Sequence, residues 1–226
     1  MKIGILQTGH AVPEMKETLG DYDTLFAQLL DGRGYDFDTW FVVDNEFPPD
    51  PGAADAWLIT GSKHGAYEDH PWIPPLEGFI RAIGDEGRPL VGICFGHQII
   101  AQAFGGQVEK FAGGWAVGRH LYEIEGETLA LNAWHQDQVT VLPEAAQLVG
   151  RSAFCAHAAL RYGPNIYSVQ PHPEFTPEMI DLLIRHRGPG VVPEDRLRQA
   201  AGTLSDPVQN DAMAERMAAV LDRGRR

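Results

Sequence analysis

A cysteine that closes an apolar run and opens an amphipathic one is the first candidate for chemistry in this chain. In Val91-Gly92-Ile93-Cys94-Phe95-Gly96-His97-Gln98 a short strand pattern ends at Cys94, glycines stand two residues to either side, and a helical pattern begins at once. A sharp strand-to-helix turn needs small neighbours and lifts the side chain at its apex clear of the sheet, which is the geometry of a nucleophile elbow. The positive end of the following helix favours the thiolate, the reactive form. Such a nucleophile needs a base, and Val169-Gln170-Pro171-His172-Pro173-Glu174-Phe175 offers one behind a second apolar run. His172 and Glu174 stand at i and i+2, so in extended backbone their side chains share a face. There the carboxylate fixes the imidazole tautomer and supports its charged form. The prolines exclude a helical arrangement of the pair and hold the segment extended. Cys94, His172 and Glu174 are therefore expected to form a Cys-His-Glu triad for nucleophilic catalysis.

Elements that end near one another must position these residues. Residues 2–7, 35–43, 56–60 and 90–93 read as strands, while 21–30 and 73–83 carry apolar side chains at helical spacing. That alternation predicts an α/β fold, a mostly parallel central sheet flanked by helices. From about residue 106 the texture becomes β-rich, with candidate strands at 107–111, 119–124, 138–142, 147–150, 158–162 and 166–170, read as antiparallel additions to the same sheet. A helix over 178–186 ends at Arg187-Gly188-Pro189-Gly190, and two further amphipathic segments, 193–201 and 206–221, follow. The expected organisation is one domain over 1–187 with a C-terminal helical extension over 188–226 packed on it.

Composition narrows the function classes. With 226 residues, 44% hydrophobic and 22% charged, the chain has the apolar mass for a packed core. Its 18 Lys and Arg against 31 Asp and Glu give a net charge of −13, which disfavours nucleic acid and anionic membranes as partners. The N-terminus enters a strand at once without a signal-peptide pattern, and no apolar run approaches the ~20 residues that cross a bilayer. Two cysteines are too few for a disulfide framework, so a reducing cytoplasm is the expected location. Cys155 lacks an elbow and reads as core. Among the nine histidines no His-x-His or His-x-x-x-His pair has a cysteine nearby, so no metal is expected, with His64 notable for following the turn after the third strand. Neither a Walker loop nor a dinucleotide fingerprint is present, and no cofactor is expected.

The elbow Gly92-x-Cys94-x-Gly96-x-Gln98 and the distant His172-Pro173-Glu174 resemble the class I glutamine amidotransferases over residues 1 to about 187. Within that family the chain looks most like standalone relatives of the GMP synthase amidotransferase domain and the plant γ-glutamyl peptidases. The likeness to the peptidases rests on Gly61-Ser62-x-His64, Asp69-x-x-Trp72-Ile73 and His135-Gln136-Asp137-x-Val139 followed by Leu142-Pro143-Glu144. The resemblance implies a flavodoxin-like α/β sandwich. It also implies that Cys94 attacks a γ-glutamyl carbonyl to form a γ-glutamyl thioester, with His172 as acid and base and Glu174 orienting it. Backbone N–H groups of Phe95 and of Gly61 or Ser62 would hold the oxyanion, the family more often having glycine where this chain has Ser62. Gln98 and the backbone of Gln136 and Asp137 would bind the glutamyl end. Trp134, bulky where many members are small, would reshape that pocket or simply pack. Two activities share all these residues: a glutaminase passing ammonia to a separate synthase subunit, and a self-contained γ-glutamyl peptidase or hydrolase. A non-catalytic binding module is the third alternative, and the intact triad argues against it.

Overall fold

The computed structural model describes residues 1–225. Five strands form the parallel half of a nine-stranded sheet: β2 (Asp36–Trp40), β1 (Lys2–Leu6), β3 (Ala56–Ile59), β4 (Leu90–Ile93) and β11 (Ile166–Val169), side by side in that order. Four antiparallel strands extend it beyond β11: β10 (Ala159–Tyr162), β9 (Gln147–Ser152), β6 (Ala116–Ile124) and β7 (Glu127–His135). The expected antiparallel additions to one sheet are thus observed, with one correction. Residues near 107 and 138 do not join that sheet but pair as a separate ribbon, β5 (Gln107–Lys110) with β8 (Asp137–Val141).

Strands β1, β3, β4 and β11 are buried on both faces, Lys2 apart, because helices cover both. Ile3, Ile5, Leu58, Val91, Ile93 and Tyr167 look into one core, shared with Phe26 of α2 (Tyr22–Leu29) and with Met213, Met217, Val220 and Leu221 of α7 (Asn210–Leu221). Leu6, Trp57, Ile59 and Leu90 look into the other. They meet Leu76, Ile80 and Ile83 of α3 (Ile73–Asp85) and Ile99 and Ile100 of α4 (Phe95–Ala103). A third cluster joins Met15 of α1 (Pro13–Leu19), Trp134 of β7, Met179 and Leu183 of α5 (Pro177–His186) and Leu197 of α6 (Glu194–Ala201). Among the described residues no helix is long and apolar enough to cross a membrane.

Two elements depart from the periodicity reading. Helix α1 is only seven residues long, has no side-chain cap and buries Met15 alone, so it carries no amphipathic stripe to detect. Strand β7 is buried from Leu129 through His135 without interruption. That removes the alternation by which a half-exposed strand is recognised.

The order β3-β4-β11 sets the site. Ile59 pairs with Gly92 and Val169 with Ile93, so three chains leave the carboxyl ends of adjacent parallel strands at one level. That edge is where open α/β sheets place ligands. The elbow glycines are demanded by packing. A Cβ on Gly96 would stand 2.4 Å from the Ile59 carbonyl oxygen, and one on Gly92 would stand 2.6 Å from that of Gly96. We therefore expect Gly96→Ala to destabilise the fold by about 1–3 kcal/mol through overpacking against backbone that cannot yield. Gly78→Ala, mid-helix in α3 with open space around its Cβ, should stabilise by about 0.5–1 kcal/mol. Urea unfolding of both variants tests the contrast, and equal midpoints would refute it.

Candidate active site

Cys94 caps α4 with φ 52° and ψ −102°, a conformation that L-residues rarely occupy. Three backbone bonds hold it there: Cys94 N–H to Val169 O (2.9 Å), Gly96 N–H to Thr60 O (3.2 Å) and Gln98 N–H to Cys94 O (3.1 Å). The Phe95 N–H, at the first helical position, has no intrahelical acceptor and is available to an anion. Opposite it lies the turn Thr60-Gly61-Ser62. Thr8 Oγ1 lies 3.0 Å from both Thr60 O and Gly61 O, while Ser62 Oγ donates to Thr8 O at 2.7 Å, so the end of β1 braces the turn after β3. A Cβ on Gly61 would stand 2.8 Å from His172 Cε1 and 3.7 Å from the Cys94 Cβ. The turn therefore approaches the nucleophile and the base as only glycine allows.

His172 Nδ1 lies 2.7 Å from Glu174 Oε1, and the imidazole shares the approach to Gly61 with Cys94. All three side chains are buried. The segment carrying the pair is not extended, as the two prolines suggested. His172 makes a single bridge to β7, donating its N–H to Asn132 O at 2.8 Å, and Phe175 N–H returns to His172 O at 3.3 Å. His172 to Phe175 is thus a β-turn with Pro173 at the second position, where its fixed φ is favourable. The turn, not the pleat, brings i and i+2 together. The Asn132 amide holds Phe175 O at 2.8 Å, and the Phe175 ring lies parallel to the imidazole with centroids 3.9 Å apart.

Burial alone would push the His172 imidazole down, but the Glu174 carboxylate and the Cys94 sulfur outweigh it and hold the pKa above its ordinary value. His97 and His135 show the opposite case. Burial drives His97 to about 3 and, with the nearby His172, drives His135 to about 3, so both are neutral at working pH. His97 pins α4 to the sheet, with Nδ1 2.9 Å from Ser168 Oγ and Nε2 3.0 Å from His157 O.

The expected glutamyl-binding residues are near the nucleophile, with much of their polarity already used. The Gln98 amide donates one hydrogen to Asp137 O (2.9 Å) and one to Gln170 Oε1 (3.1 Å), leaving only its own oxygen for a ligand. Asp137 O also faces His135 Nδ1 at 3.2 Å, and Gln136 O accepts from Phe111 N–H. Trp134 packs in the third cluster and lines the cleft as well, its buried Nε1–H without a partner.

Gln170, buried at the end of β11, has no role in the sequence reading, yet its Nε2 lies 3.5 Å from Cys94 Sγ. The route Asp137 O, Gln98, Gln170, Cys94 is a buried hydrogen-bond relay that ends on the sulfur. A polar side chain closing an apolar strand two residues before His172 is the signal that could have identified it. Lys110, Trp115 and Arg187, which line the same cleft of about 150 Å³, carried no such signal because they come from three separate places in the chain, the end of β5, the turn before β6 and the end of α5. A larger open groove of about 740 Å³ lies beside β6, β7 and β9, but it holds neither cysteine nor histidine.

The sequence and the overall fold match known proteins. The family model described as glutamine amidotransferase class-I matches residues 63–184. Gamma-glutamyl peptidase 4 of Arabidopsis thaliana is 31% identical over 84% of this chain and 82% of its own length. The glutamine-hydrolysing GMP synthase of Thermosipho melanesiensis is 34% identical over 54% of this chain and 24% of its own. In fold, the crystal structure of a glutamine amidotransferase from Methylobacillus flagellatus superposes with a TM-score of 0.74 at 21% identity, covering 99% of this chain and 93% of that one.

The two thiols should behave differently. Burial pushes Cys155 up to about 12, so it should resist alkylation, while iodoacetamide at neutral pH should label Cys94 alone. Gln170→Leu removes a hydrogen bond to the sulfur, worth about 0.5–1.5 kcal/mol, and should slow that labelling by roughly two- to tenfold. Mass spectrometry of timed reactions reads both effects; an unchanged rate in the variant would remove Gln170 from the account.

Proposed function

The chain belongs to the glutamine amidotransferase class-I family, and from that premise we propose that it hydrolyses γ-glutamyl amide bonds through a covalent thioester on Cys94. One observation carries the reading: the buried His172, paired to Glu174, and Cys94 converge on the Gly61 turn, above an elbow whose first helical N–H is free. In the first half-reaction the Cys94 thiolate attacks the γ-carbonyl carbon. The oxyanion is held by the Phe95 N–H and by an N–H of Gly61 or Ser62. Imidazolium His172 then protonates the leaving nitrogen, the C–N bond breaks, and a γ-glutamyl thioester and a free amine result. Neutral His172 next takes a proton from water, whose oxygen attacks the thioester. Collapse releases glutamate and restores thiolate and imidazolium.

Gln98, Gln136, Asp137 and Trp134 bound the glutamyl pocket in this reading, and residues 1–187 form the catalytic domain with 188–226 as its helical extension. A reducing compartment, the cytoplasm, suits a nucleophile that must remain a thiol. A partner synthase is not required. The cleft brings Lys63, Lys110 and Arg187 together on a chain of net charge −13, against Glu68 and Asp137, and leaves the Trp134 Nε1–H unused. That surplus favours a substrate with more anionic groups than glutamine, and so the self-contained γ-glutamyl peptidase over an ammonia-delivering subunit.

Product release by the purified chain decides between the two, with glutamine compared against γ-glutamyl dipeptides. Faster turnover of dipeptides supports the peptidase, and weak activity confined to glutamine would overturn it in favour of a partner synthase. Cys94→Ala and Cys94→Ser should abolish turnover, and His172→Ala should cost roughly 10²–10⁴-fold in kcat. Glu174→Gln should cost less, because orientation is worth less than the base. Full activity in Cys94→Ser would exclude the thioester.

The pH profile has a definite sign. His172 must be protonated when the amine leaves, so kcat/KM should fall as pH rises through its raised pKa. Glu174→Gln removes the main influence that raises it and should move this alkaline limb to lower pH. The stability that the charged His172 contributes runs the same way: fully present below the ordinary imidazole pKa of about 6.5, lost as pH rises through the folded value. An unmoved limb in the variant would dissociate Glu174 from the base.

A further inference from the structure

Beyond the turn at Gly61 and Ser62 lies a constellation that the γ-glutamyl chemistry does not use. His64 Nδ1 stands 3.3 Å and His70 Nε2 2.7 Å from one and the same oxygen, Oε2 of Glu68. The three donor atoms lie within 4.8 Å of one another. Two imidazole nitrogens that converge on a single carboxylate oxygen also converge on the space beside it, where a cation shared by all three would stand. The rings are not free to swing away. Their centroids are 4.2 Å apart, and the centroids of His64 and His70 lie 5.9 Å and 5.8 Å from that of Trp72, with His70 parallel to the indole within 10°. Trp72 is itself 3% exposed and packs 5.4 Å from Phe95. Successive backbone bonds, His64 N–H to Ser62 Oγ, Glu68 N–H to Gly65 O, His70 N–H to Glu68 O and Ile73 N–H to His70 O, brace the segment between them.

We propose that His64, Glu68 and His70 form a binding site for a divalent transition-metal ion at the rim of the cleft that holds Cys94. Two imidazoles and one carboxylate suit borderline ions such as Zn²⁺ or Ni²⁺, whereas Mg²⁺ and Ca²⁺ prefer oxygen alone. Three protein ligands leave a coordination position open. Because His64 and Glu68 line the cleft together with Cys94, the ion stands beside the entrance to the nucleophile, where its charge and its open position meet whatever enters. The spacing His64-x₃-Glu68-x-His70 contains none of the histidine pairs by which such sites are sought in sequence, so the expectation of no metal did not weigh it.

The test is isothermal titration of the untagged full chain with Zn²⁺ and, separately, Ni²⁺, in the wild type and in Cys94→Ala. One ion per chain in both is expected, since the thiol is not a ligand. His64→Ala, His70→Ala and Glu68→Gln should each weaken binding roughly tenfold or more, in the range seen when a metal site loses a partner. All three positions are at least partly exposed, and circular dichroism checks that the variants fold. Ni²⁺ should also quench tryptophan emission by an amount that Trp72→Phe removes, a readout independent of enzyme activity. Loss of binding in Cys94→Ala, or unaltered affinity in both histidine variants, would overturn the proposal.

Discussion

Everything near the nucleophile depends on keeping Cys94 at φ 52°. A non-glycine residue in so sparsely populated a conformation costs on the order of 1–3 kcal/mol and persists only where its surroundings over-determine it. Here they do so from both neighbours in the sheet. The Cys94 N–H is taken by the carbonyl that ends β11, and the Gly96 N–H by the carbonyl that follows β3. Either strand could slip only by abandoning a bond to the elbow. The missing Cβ atoms at Gly92 and Gly96 let α4 descend onto Ile59 and onto the elbow itself, which sets the helix start, with its free Phe95 N–H, next to Cys94. Strain, close packing and an anion-binding helix end are therefore one structural fact seen from three sides.

Charge near the sulfur is managed by position rather than quantity. The chain is strongly acidic, yet Glu174 is the carboxylate placed against His172, and it engages the ring through Oε1 while Oε2 stays buried without a partner. An anion so poorly solvated is costly on its own and strongly favours a charged imidazole beside it. His97 and His135, buried to the same degree without such a partner, lose their protons to desolvation. Three histidines in one core thus hold opposite charge states, and the difference is the carboxylate that each does or does not face.

Much of this was legible in the sequence because the elbow and the His-Pro-Glu motif are local. Cys94 with its two glycines and His172 with Glu174 lie in short windows, and β1, β3 and β4 announce themselves as apolar runs. What stayed hidden depends on residues distant in the chain. The bracing of Gly61 comes from Thr8, some fifty positions earlier, and Phe175 is clamped by Asn132 of β7, a strand whose complete burial erases its own pattern. The i and i+2 spacing suggested that His172 and Glu174 share a face. The face is made by a turn, because Pro173 suits the second turn position better than a pleat. Gln98 reads as a ligand-facing amide, whereas only the fold reveals that Asp137 and Gln170 occupy both of its hydrogens.

The cost of that relay is itself informative. Gln98, Gln170, His97, His172 and Glu174 are polar groups sunk at the end of a sheet otherwise lined with isoleucine, valine and leucine. Well-packed apolar residues of similar volume at such positions are often neutral or stabilising, so stability alone gives no reason to keep them. The hydrogen bonds of Gln98 and Gln170 run in sequence from the β8 backbone to one sulfur, while the Glu174 carboxylate holds the imidazole that approaches the same cysteine. A fold selected for stability alone would have little use for a geometry in which two polar routes, entering from different strands, meet at the residue whose backbone is already strained. Their convergence on Cys94 is what makes the elbow a site of chemistry rather than a tight turn that happens to contain a thiol.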